Sequence, residues 1–568
     1  MSSEYASYTS MIKKGMKIIR RYGASIWLAF LGVGFFIHNA LYVSKSRQYP
    51  QWDEHHYVGL SRAFYDIIKH PTVDMWQQIL KVSDYRQPLY PLITAFILQI
   101  TGPSLSYTVS LMVNGLFFII TLYALYGIVR RFGDKTSALL TSIIYAGMGF
   151  PLFYLHFAYS ETATAMWVTL SVLFLLKSEG FSKRSMSIVA AFAFVGGFLT
   201  RWVAPIFIIG IIVWEFFIII GKWRLESRKQ RMTRLVNALL FIGISTVLSL
   251  LLYYLPNFQP FTAYTFRNSA NSREWVSLYK GIEYANPMSA KTLVYYMNTI
   301  SQNTIYYFIL FIAGIVYSVI HWKKYGGLLL NFIIPYGVFS ILFLWKDDRF
   351  IVPLYPAVAV LSDLALLELK KGWKRIFVSF LIICMSVASY FGCMWGIGPL
   401  GNRGLTDIVL PPFIHHPRRI YLTSMVWPPV KEYINADAII QLIRANKDKG
   451  QSTIALLVNH EQLANALFSI EQYNTFGEFR LFTTSQMSNK TIIDSDFVIA
   501  RKNITESDGY PTSCFHFIQS KYPQVYAFIG DVVVPSDESI VSVYKKLLSI
   551  TPHMLESPGS ICLLEKSI

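Results

Sequence analysis

The fold of this chain is indicated by residues 25–57, where the apolar sequence SIWLAFLGVGFFIHNALYV (25–43) leads into the acidic motif WDEHHY (52–57). A predominantly apolar run of this length is typical of a helix that spans a lipid bilayer. The carboxylates of Asp53 and Glu54 follow it closely, and acidic groups beside a membrane are costly to desolvate. The pair is therefore a candidate functional site.

The composition of the whole chain agrees with a membrane protein. Of the 568 residues, 53% are hydrophobic and 15% are charged, which is too apolar for a soluble chain of this length. The formal net charge of +18 could indicate nucleic-acid binding. Here, however, the Lys and Arg residues cluster in short loops between apolar segments, which is the pattern of membrane topology. We therefore predict an integral membrane protein that does not bind nucleic acid.

The loop charges predict eleven membrane spans. Five basic residues within the first 24 positions precede the first apolar run, which lacks a small-residue cleavage site, so we expect an uncleaved first span with its N-terminus in the cytoplasm. The apolar segment Leu89 to Thr101 is short for a crossing and is predicted to be juxtamembrane or re-entrant. The spans are predicted at about 25–43, 105–129, 136–153, 160–176, 185–220 (a hairpin of two, broken near 201–205), 235–256, 302–320, 328–345, 351–368 and 376–397.

The chain divides into a membrane domain and a smaller C-terminal domain. Residues 25–397 form the predicted all-α transmembrane domain, with outer loops at 44–104 and 257–301. Residues 398–568 are less hydrophobic and alternate short apolar strands with helical patterns, which predicts an extracytoplasmic α/β domain. We expect the protein in the plasma (inner) membrane. The predicted strands are 454–458, 479–482 and 497–500, and the predicted helices are 436–447 and 460–472.

The cysteines and glycosylation sequons add little. Cys384 and Cys393 in the last span are interpreted as packing residues. A disulfide between Cys514 and Cys562 is chemically permitted outside the cytoplasm, but nothing in the sequence determines their separation. Sequons begin at Asn489 and Asn503 and matter only in a host that glycosylates exported proteins.

Several short motifs fall on the predicted non-cytoplasmic side of the membrane, and their order and spacing resemble those of GT-C membrane glycosyltransferases. The resemblance is strongest to the protein O-mannosyltransferases and the aminoarabinose transferases of lipid A, and it covers about residues 25–400. Two positions depart from the usual pattern, with Glu161 in place of Asp and Arg201 in place of Lys. The motifs are Asp53-Glu54 with Tyr57, RQPLYP (86–91), YSET (159–162), GFLTR (197–201) and RFIVPLYP (349–356).

This resemblance implies a GT-C fold and transfer of a sugar from a polyprenyl-phosphate donor to an acceptor hydroxyl, by a direct and inverting displacement. The acceptor can be a lipid, a protein or a glycan, and the sugar is not identified. A divalent cation is possible as a cofactor, since the related families are mixed on this point. No residue is assigned as a metal ligand.

The chemistry of such a transfer suggests roles for the motif residues. A phosphate leaving group needs electrostatic stabilisation rather than a general acid. One base is then required to take the proton from the attacking hydroxyl, and by resemblance we assign this role to Asp53. Arginine suits phosphate because its planar fork binds two oxygens at once. The remaining predicted substrate-binding residues are Glu54, Tyr57 and Glu161, with Arg86, Arg201, Lys346 and Arg349 for the phosphate.

Most of these residues also have a plainer interpretation. Asp53 and Glu54 could stabilise the N-terminus of the following helix. His55 and His56 could join the acids in a metal site, although adjacent side chains do not share a helix face. Glu161 could be a first-turn helix acid, Arg201 a turn residue at the membrane interface, and Lys346 to Arg349 a solvated turn.

Two other functions remain open. A transporter or flippase of a lipid-linked sugar would also have many spans, but it would be expected to show broken helices or repeated halves, and the sequence indicates neither. A receptor or assembly factor could bind a partner through its outer domain. Asp53 would then be dispensable, so its substitution separates this function from an enzyme.

Overall fold

In the computed structural model, the chain folds as two compact units. The first unit comprises residues 1–44 and 60–429, and the second comprises residues 45–59 and 430–568. The structure describes residues 2–46, 53–267, 286, 288–343, 346–367, 372–395, 436–447, 452–457, 479–482, 494–501, 526–534 and 539–547.

Helices dominate the described part of the chain before residue 400. The first is a single helix of 44 residues that contains the opening apolar run. The helices are α1 (Ser2–Lys45), α2 (Glu54–Lys69), α3 (Met75–Ser83), α4 (Leu89–Thr101), α5 (Ser106–Val129), α6 (Lys135–Ala146), α7 (Gly149–Leu155), α8 (Glu161–Ser178), α9 (Arg184–Thr200), α10 (Ile209–Lys222), α11 (Arg228–Ser249), α12 (258–267), α13 (Ala290–Asn303), α14 (Ile305–Ile320), α15 (Trp322–Ile341), α16 (Tyr355–Leu367) and α17 (Trp373–Trp395).

The long apolar helices identify the chain as an integral membrane protein. Among the described residues, five segments are long and apolar enough to cross a bilayer, and a sixth is obtained if the bent pair α6–α7 counts as one span. Helices also occupy the other predicted positions, but they are too short or too polar to qualify by themselves, so eleven spans remain a prediction. The five segments are Gly23–Lys45, Pro103–Val129, Arg228–Tyr254, Asp348–Leu367 and Trp373–Trp395.

Two local features match the sequence interpretation. The segment Leu89–Thr101 is a helix of 13 residues that ends at Gly102, whose φ of 87° suits glycine. The predicted break near 201–205 is also present. There α9 ends at Thr200, and a 3₁₀ helix (Ala204–Phe207) with Pro205 near its start precedes α10.

One broken helix is not indicated by the sequence interpretation. Helices α6 and α7 are bent by 63° at the residues between them. A side chain at Gly147 would lie 2.6 Å from the Cα of Ser386 and 2.7 Å from the hydroxyl of Tyr307, so α17 and α14 pack directly against the break. The bend redirects the chain through α7 into residues 156–160, which lead to the start of α8.

Helices α8 and α9 form a close antiparallel hairpin. A Cβ atom at Gly196 would lie 2.7 Å from the ring of Trp167, so only glycine allows this approach of the two helices. The connecting turn is tight, with positive φ at Glu179, Gly180 and Phe181. Because the helices run in opposite directions, the first residue of α8 and the residue after α9 lie at the same end of the hairpin.

The second unit contains a mixed sheet. Its described strands are ordered β2-β1-β3-β5-β4, with β1 parallel to both β2 and β3, and β5 antiparallel to both β3 and β4. Helix α18 (Ala436–Asn446) contributes Ile439 and Ile443 to the core over the sheet. The strands are β1 (Ser452–Leu457), β2 (Phe479–Phe482), β3 (Phe497–Arg501), β4 (Tyr526–Val534) and β5 (Ser539–Lys546).

The predicted α/β character of the C-terminal region is therefore present, with the three predicted strands and the helix at 436–447. Strands β4 and β5 were not predicted. The helix predicted at 460–472 lies outside the described residues, as do both sequons and the cysteines Cys514 and Cys562. Of the two remaining cysteines, Cys393 is buried, whereas Cys384 is exposed and is not a core packing residue.

Candidate functional site

The acidic motif lies at the start of α2. The backbone carbonyl of Asp53 accepts hydrogen bonds from the amides of His56 (3.1 Å) and Tyr57 (3.3 Å), and Glu54 is the first helical residue. The Glu54 side chain is fully buried. The acids thus occupy a helix N-terminus, where negative charge is favourable. Asp53, Glu54 and Tyr57 all belong to the second unit.

Glu161 and Arg201 meet at the open end of the α8–α9 hairpin. Their Oε1 and Nη1 atoms are 2.7 Å apart, and the side chains are 3% and 13% exposed, which makes this a buried ion pair. The second carboxylate oxygen of Glu161 has no hydrogen-bond partner among the described residues. Glu161 is also in the first turn of α8, and Arg201 directly follows α9, as their plainer interpretations expected.

Arg349 lies in the 3₁₀ helix Asp348–Leu354, which precedes α16. The carboxylate of Asp347 accepts a hydrogen bond from the Arg349 amide (3.0 Å) and pairs with its Nε atom at 2.7 Å. The guanidinium of Arg349 is 5.8 Å from the ring centre of Tyr159. Asp347 therefore holds both the backbone and the side chain of Arg349.

Phe350 links the two arginines. Its ring centre lies 5.2 Å from the guanidinium of Arg201 and 5.9 Å from that of Arg349, within the range of cation–π attraction. The structure therefore brings together three of the predicted site residues, Glu161, Arg201 and Arg349. We call these three residues with Tyr159 and Phe350 the arginine cluster.

Helix α13 supports the same region. The hydroxyl of Thr299 donates a hydrogen bond to Asp348 at 2.8 Å. Burial, and then the nearby carboxylates of Asp347 and Asp348, raise the pKa of the Tyr296 phenol well above its ordinary value. Tyr296 therefore remains a neutral phenol beside these acids at physiological pH.

Lys346 has a different role from the one predicted. Its Nζ donates to the carbonyls of Phe339 (2.8 Å), Ser340 (2.8 Å) and Phe343 (2.5 Å), and the residue is 1% exposed. These contacts satisfy carbonyls at the C-terminal end of α15, which have no partner within a helix. An ammonium has three donors, and all are used here. We therefore leave Lys346 out of the proposed phosphate-binding residues.

Arg86 lies on a stack of tyrosine rings. Its guanidinium is 4.6 Å from the ring centre of Tyr85, which stacks on Tyr264 at 3.8 Å with an interplanar angle of 9°. The hydroxyl of Tyr253 donates to the carbonyl of Tyr85 at 2.5 Å. The stacked rings therefore support the Arg86 guanidinium on one of its faces.

The sequence identified the motifs of this site but not all of its members. Tyr159 and Phe350 stood inside quoted motifs without an assigned role, and their aromatic character was the available signal. Thr299 carried no signal, since it lies in another helix. Among the described residues, no group of three or more His, Cys, Asp or Glu side chains could hold a metal ion.

A family model supports the resemblance over part of the chain. Residues 85–250 match the model described as dolichyl-phosphate-mannose-protein mannosyltransferase. This segment includes Arg86, Glu161 and Arg201. No curated protein sequence matches the chain.

Solved structures resemble the chain over most of its length. ArnT from Cupriavidus metallidurans matches with a TM-score of 0.53 and 14% identity over 92% of this chain and 98% of that one, both in the apo state and bound to undecaprenyl phosphate. The mycobacterial arabinofuranosyltransferase AftD matches with a TM-score of 0.51 and 12% identity over 92% of this chain and 40% of that one. At these identities the likeness concerns the fold. The chain is thus an integral membrane protein with the GT-C fold, as its motifs predicted by their resemblance to the mannosyl- and aminoarabinosyltransferases.

Proposed function

We propose that this protein is a glycosyltransferase that moves a sugar from a polyprenyl phosphate to an acceptor hydroxyl on the extracytoplasmic face of the plasma (inner) membrane. The observation that carries the proposal is the arginine cluster, in which a buried carboxylate and two guanidinium groups surround two aromatic rings. The match of residues 85–250 to a mannosyltransferase model supports the same class of reaction.

The arginine cluster suits a phosphate leaving group. When the sugar is transferred, the bond between its anomeric carbon and the phosphate oxygen breaks, and the electron pair stays on the phosphate. Guanidinium groups stabilise that developing charge without donating a proton outright. We assign Arg201, Arg349 and Arg86 to the phosphate. One of the solved ArnT structures holds undecaprenyl phosphate, a lipid phosphate of the class proposed here.

Glu161 is suited to orient a sugar or acceptor hydroxyl. One of its oxygens is paired with Arg201 at 2.7 Å. The other oxygen lacks a hydrogen-bond partner within the described part of the chain. An ionised carboxylate accepts strong hydrogen bonds from hydroxyl groups, and a buried oxygen that lacks one is costly. A substrate hydroxyl would satisfy it.

Asp53 is the proposed base. It would take the proton of the acceptor hydroxyl as that oxygen attacks the anomeric carbon on the side opposite the phosphate, which inverts the configuration. Glu54 and Tyr57 are assigned to the acceptor. The support for this step is the resemblance in motif order, with Asp53 after the first span.

A flippase of a lipid-linked sugar is the second candidate, because the bend of 63° between α6 and α7 is a broken helix of the kind that transporters use. The contacts around Gly147 argue for packing rather than a binding site at that break, since atoms of Ser386 and Tyr307 occupy the space beside it. The two functions differ in their products. A transferase releases free polyprenyl phosphate, whereas a flippase leaves the sugar on its lipid.

The deciding experiment measures the release of free polyprenyl phosphate by the purified full chain. A panel of polyprenyl-phosphate sugars is offered with a membrane extract as the acceptor, and wild type is compared with Asp53→Asn. We expect sugar-dependent release that falls by about 10²-fold or more in the variant, the usual contribution of a general base. The matched control is Asp74→Asn, which makes the same change at an exposed aspartate just before α3 and should leave release unchanged.

The other outcomes separate the claims. Equal release by wild type and Asp53→Asn would remove Asp53 as the base and leave the transferase in place. No release by the folded wild-type protein, with an extract known to contain acceptor, would favour transport or binding.

A further inference from the structure

A basic cleft of about 700 Å³ lies at the turn end of the α8–α9 hairpin. Helix α9 has 17 residues, so this cleft is about 25 Å along the helix from Arg201 and is distinct from the arginine cluster. Its walls come from the start of α9 and the first turns of α11. They include Arg184, Arg228, Lys229, Met232, Val236 and Asn237.

The cleft carries positive charge that the described residues do not neutralise. Arg184, Arg228 and Lys229 are exposed, and none of them forms an ion pair within the described part of the chain. Glu215 is buried and accepts from the Gly180 amide, and the two less buried acids near the cleft are already paired. Glu179 pairs with Lys183 at 2.6 Å and with Arg131 at 3.5 Å, and Glu226 pairs with Arg234 at 2.8 Å.

The same cleft has an apolar wall. Met232 and Val236 line it and are 52% and 45% exposed, and Leu239, one turn further along α11, is 58% exposed. Their spacing places the three side chains on one face of the helix. Helix α11 lies in a candidate membrane span that is largely unburied within the protein, so this face suits contact with acyl chains.

The walls of the cleft are joined by hydrogen bonds. Arg234 donates to the carbonyls of Glu179 and Gly180, and Asn237 donates to the carbonyl of Phe181 at 2.8 Å. The amide of Gly180 donates to Glu215 at 2.5 Å. These bonds attach the α8–α9 turn to α10 and α11. The N-terminus of α11 is already capped by Ser227, so the exposed cations, rather than the helix end, remain available to a ligand.

We propose that this cleft binds the phosphate headgroup of an anionic membrane lipid. Cations beside an apolar helix face match a lipid whose phosphate lies at the interface and whose acyl chains lie along the helix. A soluble phosphate ester would use the same cations, but it would gain nothing from Met232, Val236 and Leu239. The lipid is therefore the ligand class that uses the whole cleft.

Native mass spectrometry of the full chain in detergent tests this assignment. Phosphatidylglycerol is compared with phosphatidylcholine of the same acyl chains. We expect wild type to retain phosphatidylglycerol preferentially, and Arg184→Gln/Arg228→Gln to lower its affinity by roughly tenfold or more, since each interfacial cation contributes on the order of 1 kcal/mol. Lys323→Gln/Lys374→Gln removes the same charge from exposed residues elsewhere and should retain the lipid as wild type does.

Two further comparisons distinguish a lipid from a soluble phosphate ester. Val236→Trp places a bulkier side chain on the apolar wall, which narrows the cleft without changing its charge. This variant should weaken the retention of phosphatidylglycerol. Glycerol 3-phosphate, offered alone, should bind poorly. Equal retention of phosphatidylglycerol by the cleft variant and its charge-matched control would overturn the proposal. Tight binding of glycerol 3-phosphate that is insensitive to Val236→Trp would also overturn it, in favour of a soluble phosphate ester.

Discussion

Arg201 and Glu161 close the open end of the α8–α9 hairpin through an ion pair of 2.7 Å between Nη1 and Oε1. Glu161 is buried and Arg201 is only 13% exposed, and the pair joins residues from the end of one helix and the start of the other. Two charges in such a place are stable only together, because each compensates for the desolvation of the other.

Removing one partner of this pair should therefore lower the free energy of unfolding more than removing both partners does. We expect Arg201→Met to lower the free energy of unfolding by about 3–5 kcal/mol, because it leaves the Glu161 carboxylate buried without its cation. The double variant Arg201→Met/Glu161→Leu should recover much of that loss, yet remain inactive in polyprenyl-phosphate release. Thermal unfolding in detergent and the release assay measure the two effects. Arg224→Met, in an exposed loop, is the control. If the single and double variants were equally destabilised, the pair would not be coupled.

Arg349→Lys tests whether the shape of the guanidinium matters as well as its charge. Lysine can keep an ion pair with Asp347, but it cannot bind two phosphate oxygens in parallel. We expect the KM for the polyprenyl-phosphate sugar to rise by roughly tenfold, the effect of losing one charged hydrogen bond. Steady-state kinetics compare this variant with Arg224→Lys, which alters an exposed arginine outside both the arginine cluster and the basic cleft. An unchanged KM would remove Arg349 from the donor site.

Gly314→Ala should disturb the arginine cluster from a distance. A Cβ atom there would lie 1.8 Å from the carbonyl oxygen of Leu361, so α14 and α16 would have to separate. Because α16 continues directly from the 3₁₀ helix that carries Arg349, we expect lower transfer activity as well as a loss of about 1–3 kcal/mol in stability.

Gly337→Ala is the matched control, since nothing lies within 4 Å of a Cβ at that helical position. It should leave activity unchanged and raise stability by up to about 1 kcal/mol through helix propensity. Equal effects of the two substitutions on the unfolding temperature would show that the contact at Gly314 is not limiting.

Because of Lys346, the free energy of unfolding should depend on pH in the alkaline range. Burial lowers the pKa of its ammonium from 10.5 to about 8 in the folded protein. Between these two values the unfolded chain holds a proton that the folded protein has released, so the free energy of unfolding contributed by Lys346 rises with pH across this interval. Below about pH 8 both states are protonated, and the folded state bears the full penalty of the buried charge.

Lys346→Met should flatten this rise. The measurement is the unfolding temperature of the purified protein at a series of pH values from about 7 to 11, which bracket both pKa values. Lys323→Met, in an exposed residue, should keep the wild-type slope. A wild-type slope in Lys346→Met would show that another group titrates in this range.

Much of this site could be predicted because its residues stand in motifs at the ends of helices. Charge sidedness placed Glu161, Arg201 and Arg349 on one side of the membrane, and the structure brings them to one cluster. The contacts of Phe350 with Arg201, and of Thr299 with Asp348, join separate elements and leave no trace in local spacing.

The points at which the structure differs from the sequence-based predictions have identifiable causes. The sequence favours Lys346 as a phosphate ligand because charge is visible in a sequence, whereas the direction of a side chain is not. The α6–α7 bend arises from the packing of Ser386 and Tyr307 around Gly147, which is a tertiary contact. Strands β4 and β5, which were not predicted, lie in the valine-containing segments 526–534 and 539–546, and valine favours β-strands.

The α8–α9 hairpin is fastened at both ends, by the ion pair with Arg201 at one and by the hydrogen bonds of Arg234 and Asn237 to the turn at the other. Contacts at both ends thus add to the close packing of the two helices along their length. At the Arg201 end the chain leaves the hairpin through this extended residue and the short 3₁₀ helix Ala204–Phe207, which precedes α10. Arg201 is thus both the residue at which the chain leaves α9 toward α10 and a cation assigned to the leaving group, so one substitution there alters the helix connection and the charge of the proposed phosphate site together.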